Sequence, residues 1–220
     1  MPEAVDGHEI DRSWLARARR RLFWVDPPSW FVWNWYVRLH GVQTGVALRV
    51  YGRPEIRRFP GSLITLGDRV MLNSSRRAYP LPMWAAVRLA TFAPSASIRI
   101  GSRVGINGSA LVARSKTIEI GDDTIIAGGC VILDSDWHHL YAANRWGKPG
   151  SAKDVVDAPV CIEENVWIGF GSVILKGVRI GKNSVIGARS VVTKDIPPDS
   201  IAGGVPARRI GAVPISPPPE

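Results

Sequence analysis

The sequence predicts an all-β protein in which the chain coils as a parallel β-helix, and three observations predict it. From Ile162 an Ile or Val returns every sixth residue, at Ile162, Ile168, Ile174, Ile180, Ile186 and Val192. Glycine follows in the next position at Gly169, Gly181 and Gly187. The same spacing recurs upstream, in Leu66 and Leu72, in Ile100, Ile106 and Val112, and in Ile120, Ile126 and Ile132. An α-helix repeats its apolar face every 3.6 residues and a strand every two, so a period of six is neither alone. It is the period of a chain wound around a prism, with one short strand on each flat side. An aliphatic side chain points inward there, and glycine or another small residue turns the corner. At 45% apolar residues, six hits in one frame arise by chance about once in a hundred.

Taken in order, residues 1–60 lack the sixfold pattern. They hold Arg17, Arg19, Arg20 and Arg21, then Trp24, Trp30, Trp33, Trp35 and Tyr36, with Pro27 and Pro28 placed to begin a helix. This segment reads either as a cap on the open end of the prism or as a face against an anionic membrane, where tryptophan and arginine favour the headgroup region. The coil is expected over 61–211, starting near Ile64, with a basic, proline-broken insert at 74–94. It has one long break at 134–159, and its stacked turns need capping. Residues 212–220, ending PISPPPE, read as a disordered tail.

Composition narrows the functions. The net charge of +9 permits anionic partners, but no nucleic-acid-binding module is recognisable, so none is expected. Cys130 and Cys161 are far apart and unpaired in sequence, which excludes a CxxC metal site and leaves both as small core residues. No run of apolar residues is long enough to span a bilayer and no signal-peptide pattern is present, so the expected location is cytoplasmic.

The stretch 160–211 carries three ordered elements, NVWIG, IGKNSVIGARSVVTKDIPP and GVPARRIG. In these it closely resembles the hexapeptide-repeat acyltransferases, above all the galactoside and maltose O-acetyltransferases and the sugar acetyltransferases of polysaccharide pathways. The resemblance covers about 98–211 and fades across 60–97. It implies a left-handed coil, a homotrimer, and acyl transfer from acetyl-coenzyme A to a hydroxyl or amine of a sugar or glycolipid, without a metal. It also implies that His138, after ILDSDW, is the catalytic base, with His139 as the alternative, and that Asn107 lines the acceptor site. Coenzyme A is then held by Trp167, Gly169, Gly187, Ala188, Thr193, Lys194 and Arg208. Where the galactoside enzymes carry an acidic pair this chain has Arg114 and Ser115, and Phe170 replaces a small polar residue after WIG.

The chemistry stands on its own terms. A thioester is already activated, so attack by a hydroxyl requires a base, a donor to the developing oxyanion and tight positioning. Histidine titrates near neutrality and suits the base. Asp134 and Asp136 are placed either to fix the imidazole tautomer or simply to form turns. A zinc enzyme of this shape needs three histidines, and the coil region holds only His138 and His139. The competing reading is a noncatalytic β-helix that binds or assembles.

Overall fold

The computed structural model describes residues 29–77, 79–139 and 155–214, the side chains of Ser29 and Trp30 excepted. The arginine cluster at 17–21, Trp24, the middle of the long break and the end of the tail lie outside the described residues.

Helix α1 (Ser29–Leu39) opens the described chain. Trp33, Asn34 and Val37 share the face turned to the coil, and Asn34 Nδ2 donates to the Leu48 carbonyl at 2.8 Å. The helix stops at Gly41, whose φ of +75° suits glycine. The Val42 N–H then donates back to the Val37 carbonyl and the Gly41 N–H to that of Arg38, satisfying the last turn.

The strands follow in threes. The first coil is β1 (Gln43–Thr44), β2 (Arg49–Tyr51) and β3 (Glu55–Arg57); the second is β4 (Leu63–Leu66), β5 (Met71–Asn73) and β6 (Arg88–Thr91); the third is β7 (Ser97–Ile100), β8 (Gly105–Asn107) and β9 (Ala110–Ala113). The fourth is β10 (Thr117–Ile120), β11 (Ile125–Ile126) and β12 (Val131–Leu133), after which the long loop leaves. The fifth is β13 (Val160–Ile162), β14 (Trp167–Ile168) and β15 (Val173–Ile174), and the sixth is β16 (Arg179–Ile180), β17 (Val185–Ile186) and β18 (Val191–Val192). An antiparallel pair, β19 (Ser200–Gly204) and β20 (Ala207–Ala212), closes the end.

First strands pair only with first strands, second with second and third with third, always in parallel until the closing pair. This is a three-sided parallel β-helix, with sides called A, B and C in chain order. Its core is a column of side chains stacked rung on rung: Ile120, Ile162 and Ile180 on A, Ile126, Ile168 and Ile186 on B, Ile132, Ile174 and Val192 on C.

The structure moves several expectations. The coil begins at Gln43 and not near residue 61, so only α1 remains as the described cap. Arg88–Thr91 is a strand of side C, which shortens the insert to 74–87. β20 runs to Ala212. On β9 the inward residue is Leu111, fully buried, while Val112 faces out, because Leu111 is the residue in register with Ile132. Cys130 is buried, but Cys161 lies at the outward position of β13. The glycines that follow the inward residues do not turn the corners. A Cβ on Gly169 would lie 2.6 Å from the Ala188 nitrogen, and one on Gly181 2.4 Å from that of Pro198, so these glycines let one coil touch the next. The A–B corner is instead turned by left-handed residues such as Arg103, Asp123, Asn165 and Asn183, partly held by side-chain bonds between coils.

Candidate functional site

Two edges of the prism carry the residues of interest. The long loop leaves from the C–A edge. Its neck is closed by an antiparallel bridge between Ser135 and Asp157 and by the Ala158 N–H donating to the Asp134 carbonyl at 2.9 Å. Trp137 holds a φ of +62°, uncommon for a bulky residue, with its N–H on Ser135 Oγ and its ring edge-on to Phe92 at 4.8 Å. That arrangement leaves His138 exposed and turns His139 inward, where Nδ1 is buried without a hydrogen-bond partner among the described residues.

Among the described residues neither aspartate is hydrogen-bonded to a histidine ring. Asp134 is fully buried, and its carboxylate accepts from the backbone N–H groups of Arg114, Ser115 and Lys116 at 2.6, 3.0 and 2.7 Å. It holds the corner between β9 and β10 with these three bonds. Asp136 pairs with Lys176 at 2.8 Å. Both serve the loop's geometry.

Arg114 and Ser115 converge on Asp157, each reaching Oδ2, at 2.6 and 2.5 Å. Burial alone would push the Asp157 carboxyl up, but the bonds from Ser115 and Arg114 outweigh it and hold it below the usual carboxylate range. The departing loop is therefore held at its root by Asp134 and its returning strand by Asp157. Arg114, Ser115 and Asp157 border a cavity of about 430 Å³, shared with Phe92 and Lys116.

The other edge, between B and C, carries Asn107, Gly169, Gly187 and Ala188. Asn107 is buried, with Oδ1 accepting from Asn73 and Nδ2 donating to the Ile126 carbonyl at 3.1 Å. One donor and one acceptor of its amide are engaged within the coil, and within one chain it stands on a different edge from His138. Gly169 is explained by coil contact alone. Gly187 is not: an added Cβ would meet nothing nearer than 3.5 Å, and its φ is ordinary, so neither packing nor backbone demands glycine there. Residues 74–77 and 79–87 fold over this edge, where the Gly128 N–H donates to Tyr79 Oη at 3.1 Å and Trp84 packs on Phe170 at 4.9 Å. Nothing in their spacing announces that cover.

Trp167 lies exposed on the outer face of side B, next to Ile125. Thr193 and Lys194 are exposed on the C–A edge, and Arg208 stands opposite Gly203 in the closing hairpin. One chain does not gather the proposed coenzyme A residues into one pocket. They lie on two edges and the face beside one of them.

Residues 162–194 match the family of bacterial transferase hexapeptide repeats. The chain is similar to proteins named as acetyltransferases. It is 42% identical over 119 residues to the galactoside O-acetyltransferase of Escherichia coli, covering 54% of this chain and 56% of that one. To the galactoside O-acetyltransferase of Lactococcus lactis it is 68% identical over 110 residues, half of each chain. The chain spans about half the length of the curated relatives it matches. Its fold is similar to that of AntD, an N-acyltransferase from Bacillus cereus solved with dTDP and 3-hydroxybutyryl-CoA, with a TM-score of 0.63 at 22% identity over 82% of this chain and 88% of that one. The coil is accordingly a left-handed β-helix. No helix among the described residues is long and apolar enough to cross a membrane.

Proposed function

We propose that this protein is an acyltransferase that moves an acetyl group from acetyl-coenzyme A to a hydroxyl of a sugar or polysaccharide precursor, working as a homotrimer. The observation that carries the reading is the division of the site residues between two edges. His138 is exposed on the C–A edge, and the unexplained glycine at Gly187 lies on the B–C edge. A second copy of the chain that sets its B–C edge beside the first chain's C–A edge completes the site, and threefold symmetry closes the assembly with three equal sites. The outward residues support such packing. Ile125 and Trp167 on side B and Val131, Val173 and Val191 on side C are apolar, whereas side A presents Arg99, Glu119 and Arg179.

In this reading a coenzyme A thioester supplies the activated acyl group. Its thin arm passes the small residues Gly187 and Ala188 beneath Trp167, with Thr193, Lys194 and Arg208 toward the phosphates. His138 takes the proton from the acceptor hydroxyl as the oxygen bonds to the acyl carbon, and returns it to the sulfur as the carbon–sulfur bond breaks. Asp134, Asp157 and the Trp137–Phe92 contact position the loop that bears it. The galactoside O-acetyltransferase names of the relatives favour oxygen as the acceptor. A peripheral contact with anionic membrane belongs to the same proposal, resting on Trp35 and Leu39, exposed on the outer face of α1; co-sedimentation with anionic vesicles tests it.

A thiol-release assay with acetyl-coenzyme A against free sugars, nucleotide sugars and glycolipids tests the activity. Release that depends on one acceptor class is expected. No release with any acceptor, together with no shift in melting temperature on adding coenzyme A, would assign the chain to the noncatalytic binding proteins of this shape.

A further inference from the structure

A second groove, of about 590 Å³, runs along side C of the first two coils beneath α1. It is lined by Ile56, Ala90, Arg53, Arg57 and Arg88, with the single carboxylate of Glu55. Glu55 is taken by Arg88, at 2.5 Å. Arg53 and Arg57 form no ion pair among the described residues. Each lies over an aromatic ring, Arg53 at 5.3 Å from the centroid of Tyr36 and Arg57 at 4.3 Å from that of Phe92. Stacking fixes a guanidinium plane while leaving its N–H edge free to meet an anion.

Phe92 joins this groove to the loop site. Its ring meets Arg57 on one side and Trp137 on another, and Trp137 immediately precedes His138. Along side C, β3 and β12 are three strand steps apart, about 14 Å at the usual spacing between neighbouring strands. A hexose joined to a diphosphate fills such a span, and a free hexose does not.

We propose that Arg53 and Arg57 bind the phosphate or diphosphate of the acceptor, while its sugar reaches over Phe92 to His138. The proposal rests on the acyl-transfer reading for the sugar's fate, but the anion site stands on the groove alone. A phosphate offers several acceptor oxygens to two guanidinium forks, whereas a neutral glycoside offers them no charge. Two sources share this chemistry, a nucleotide-linked sugar and a lipid-linked one.

Isothermal titration of the full chain at low salt with uridine diphosphate, and separately with farnesyl diphosphate, reads the groove without any acyl transfer. At least one should bind, and Arg53→Gln/Arg57→Gln should weaken that binding about tenfold or more, as expected for charge-assisted bonds. Arg99→Gln, on the outward face of side A, should leave it unchanged. Stronger binding of the nucleotide assigns a nucleotide-linked acceptor, and stronger binding of the farnesyl compound a lipid-linked one. Both arginines are exposed, so the double variant should keep its melting temperature, measured in parallel. Binding of neither probe, or binding equal in the double variant and in Arg99→Gln, overturns the proposal. Titration with coenzyme A in the same series separates the two readings: failure there counts against acyl transfer and leaves the anion site standing.

Discussion

In the coils from Val160 to Val192 every inward position repeats at six residues, and each of Ile162, Ile168, Ile174, Ile180, Ile186 and Val192 is fully buried. In the coils from Gln43 to Ala113 the matching positions are Thr44, Val50, Ile56, Leu66, Leu72, Leu89, Ile100, Ile106 and Leu111. There the rhythm is broken by the 74–87 cover and by longer corners at 92–96 and 114–116. The backbone ladder is the same in both. What differs is what stands outside it: Tyr79, Trp84, Phe92, Arg53, Arg57 and Arg114 all belong to the interrupted coils. A stacked coil of this kind is rigid rung by rung, so insertions at its corners can be aimed without disturbing the core. In the proposed reading the regular coils hold the acyl donor, and the irregular ones select the acceptor.

The largest effect expected from this contrast is on stability. Ile168→Ala, in the regular coils, removes a fully buried side chain from the middle of a column and should cost about 2–5 kcal/mol. Ile56→Ala, in the first coil, removes one that is only partly buried and should cost clearly less. Denaturant midpoints measure both. Equal losses would mean that the first coil is as tightly packed as the fifth, and the contrast would then be one of sequence only.

That contrast also explains what could be read in the sequence. Period six is visible where every inward residue is Ile or Val, and the fold of 162–192 was legible there. The first coil has the same period, in Val42, Leu48 and Pro54 and again in Thr44, Val50 and Ile56. A threonine, a proline and the surrounding arginines dilute it. Leu111 displaced Val112 because the corner after Asn107 is one residue shorter, and spacing alone does not reveal a corner's length. The loop site was legible as chemistry, in a histidine pair beside aspartates, but not as geometry. Asp134 binds backbone twenty residues upstream, at Arg114, and Asp157 returns across the loop to the same corner. Such long-range capping leaves no local signal. The Phe92–Arg57 and Tyr36–Arg53 stacks were illegible for the same reason.

The next effect is catalytic and separates the loop from both sets of coils. His138→Ala should lower kcat about a hundredfold or more, the usual scale of general-base catalysis, with coenzyme A binding unchanged by titration. His139→Ala should cost less turnover, since its ring is turned inward, and should instead loosen the loop. If His139→Ala abolishes turnover while His138→Ala preserves it, the two roles are exchanged. Neither variant should move the denaturant midpoint as far as Ile168→Ala does, because the loop lies outside the stacked core.

The smallest effect concerns the latch between the returning loop and the irregular coils. Asp157 is nearly buried, with a side-chain exposure of 7%, and Arg114 retains 21%. Asp157→Asn keeps the shape but removes the charge facing Arg114 and Ser115, which should cost about 1–3 kcal/mol. The pH dependence fixes the sign. The folded carboxyl is held below its ordinary range, so its contribution is fully present above the unfolded value of about 4 and is lost as pH falls through the lower folded value. The stability gap between the wild type and Asp157→Asn should therefore be flat from about pH 5 to 8 and shrink only in stronger acid. A gap that widened on acidification would mean that Asp157 is protonated in the native loop, and that hydrogen bonding without charge holds the returning strand to Arg114.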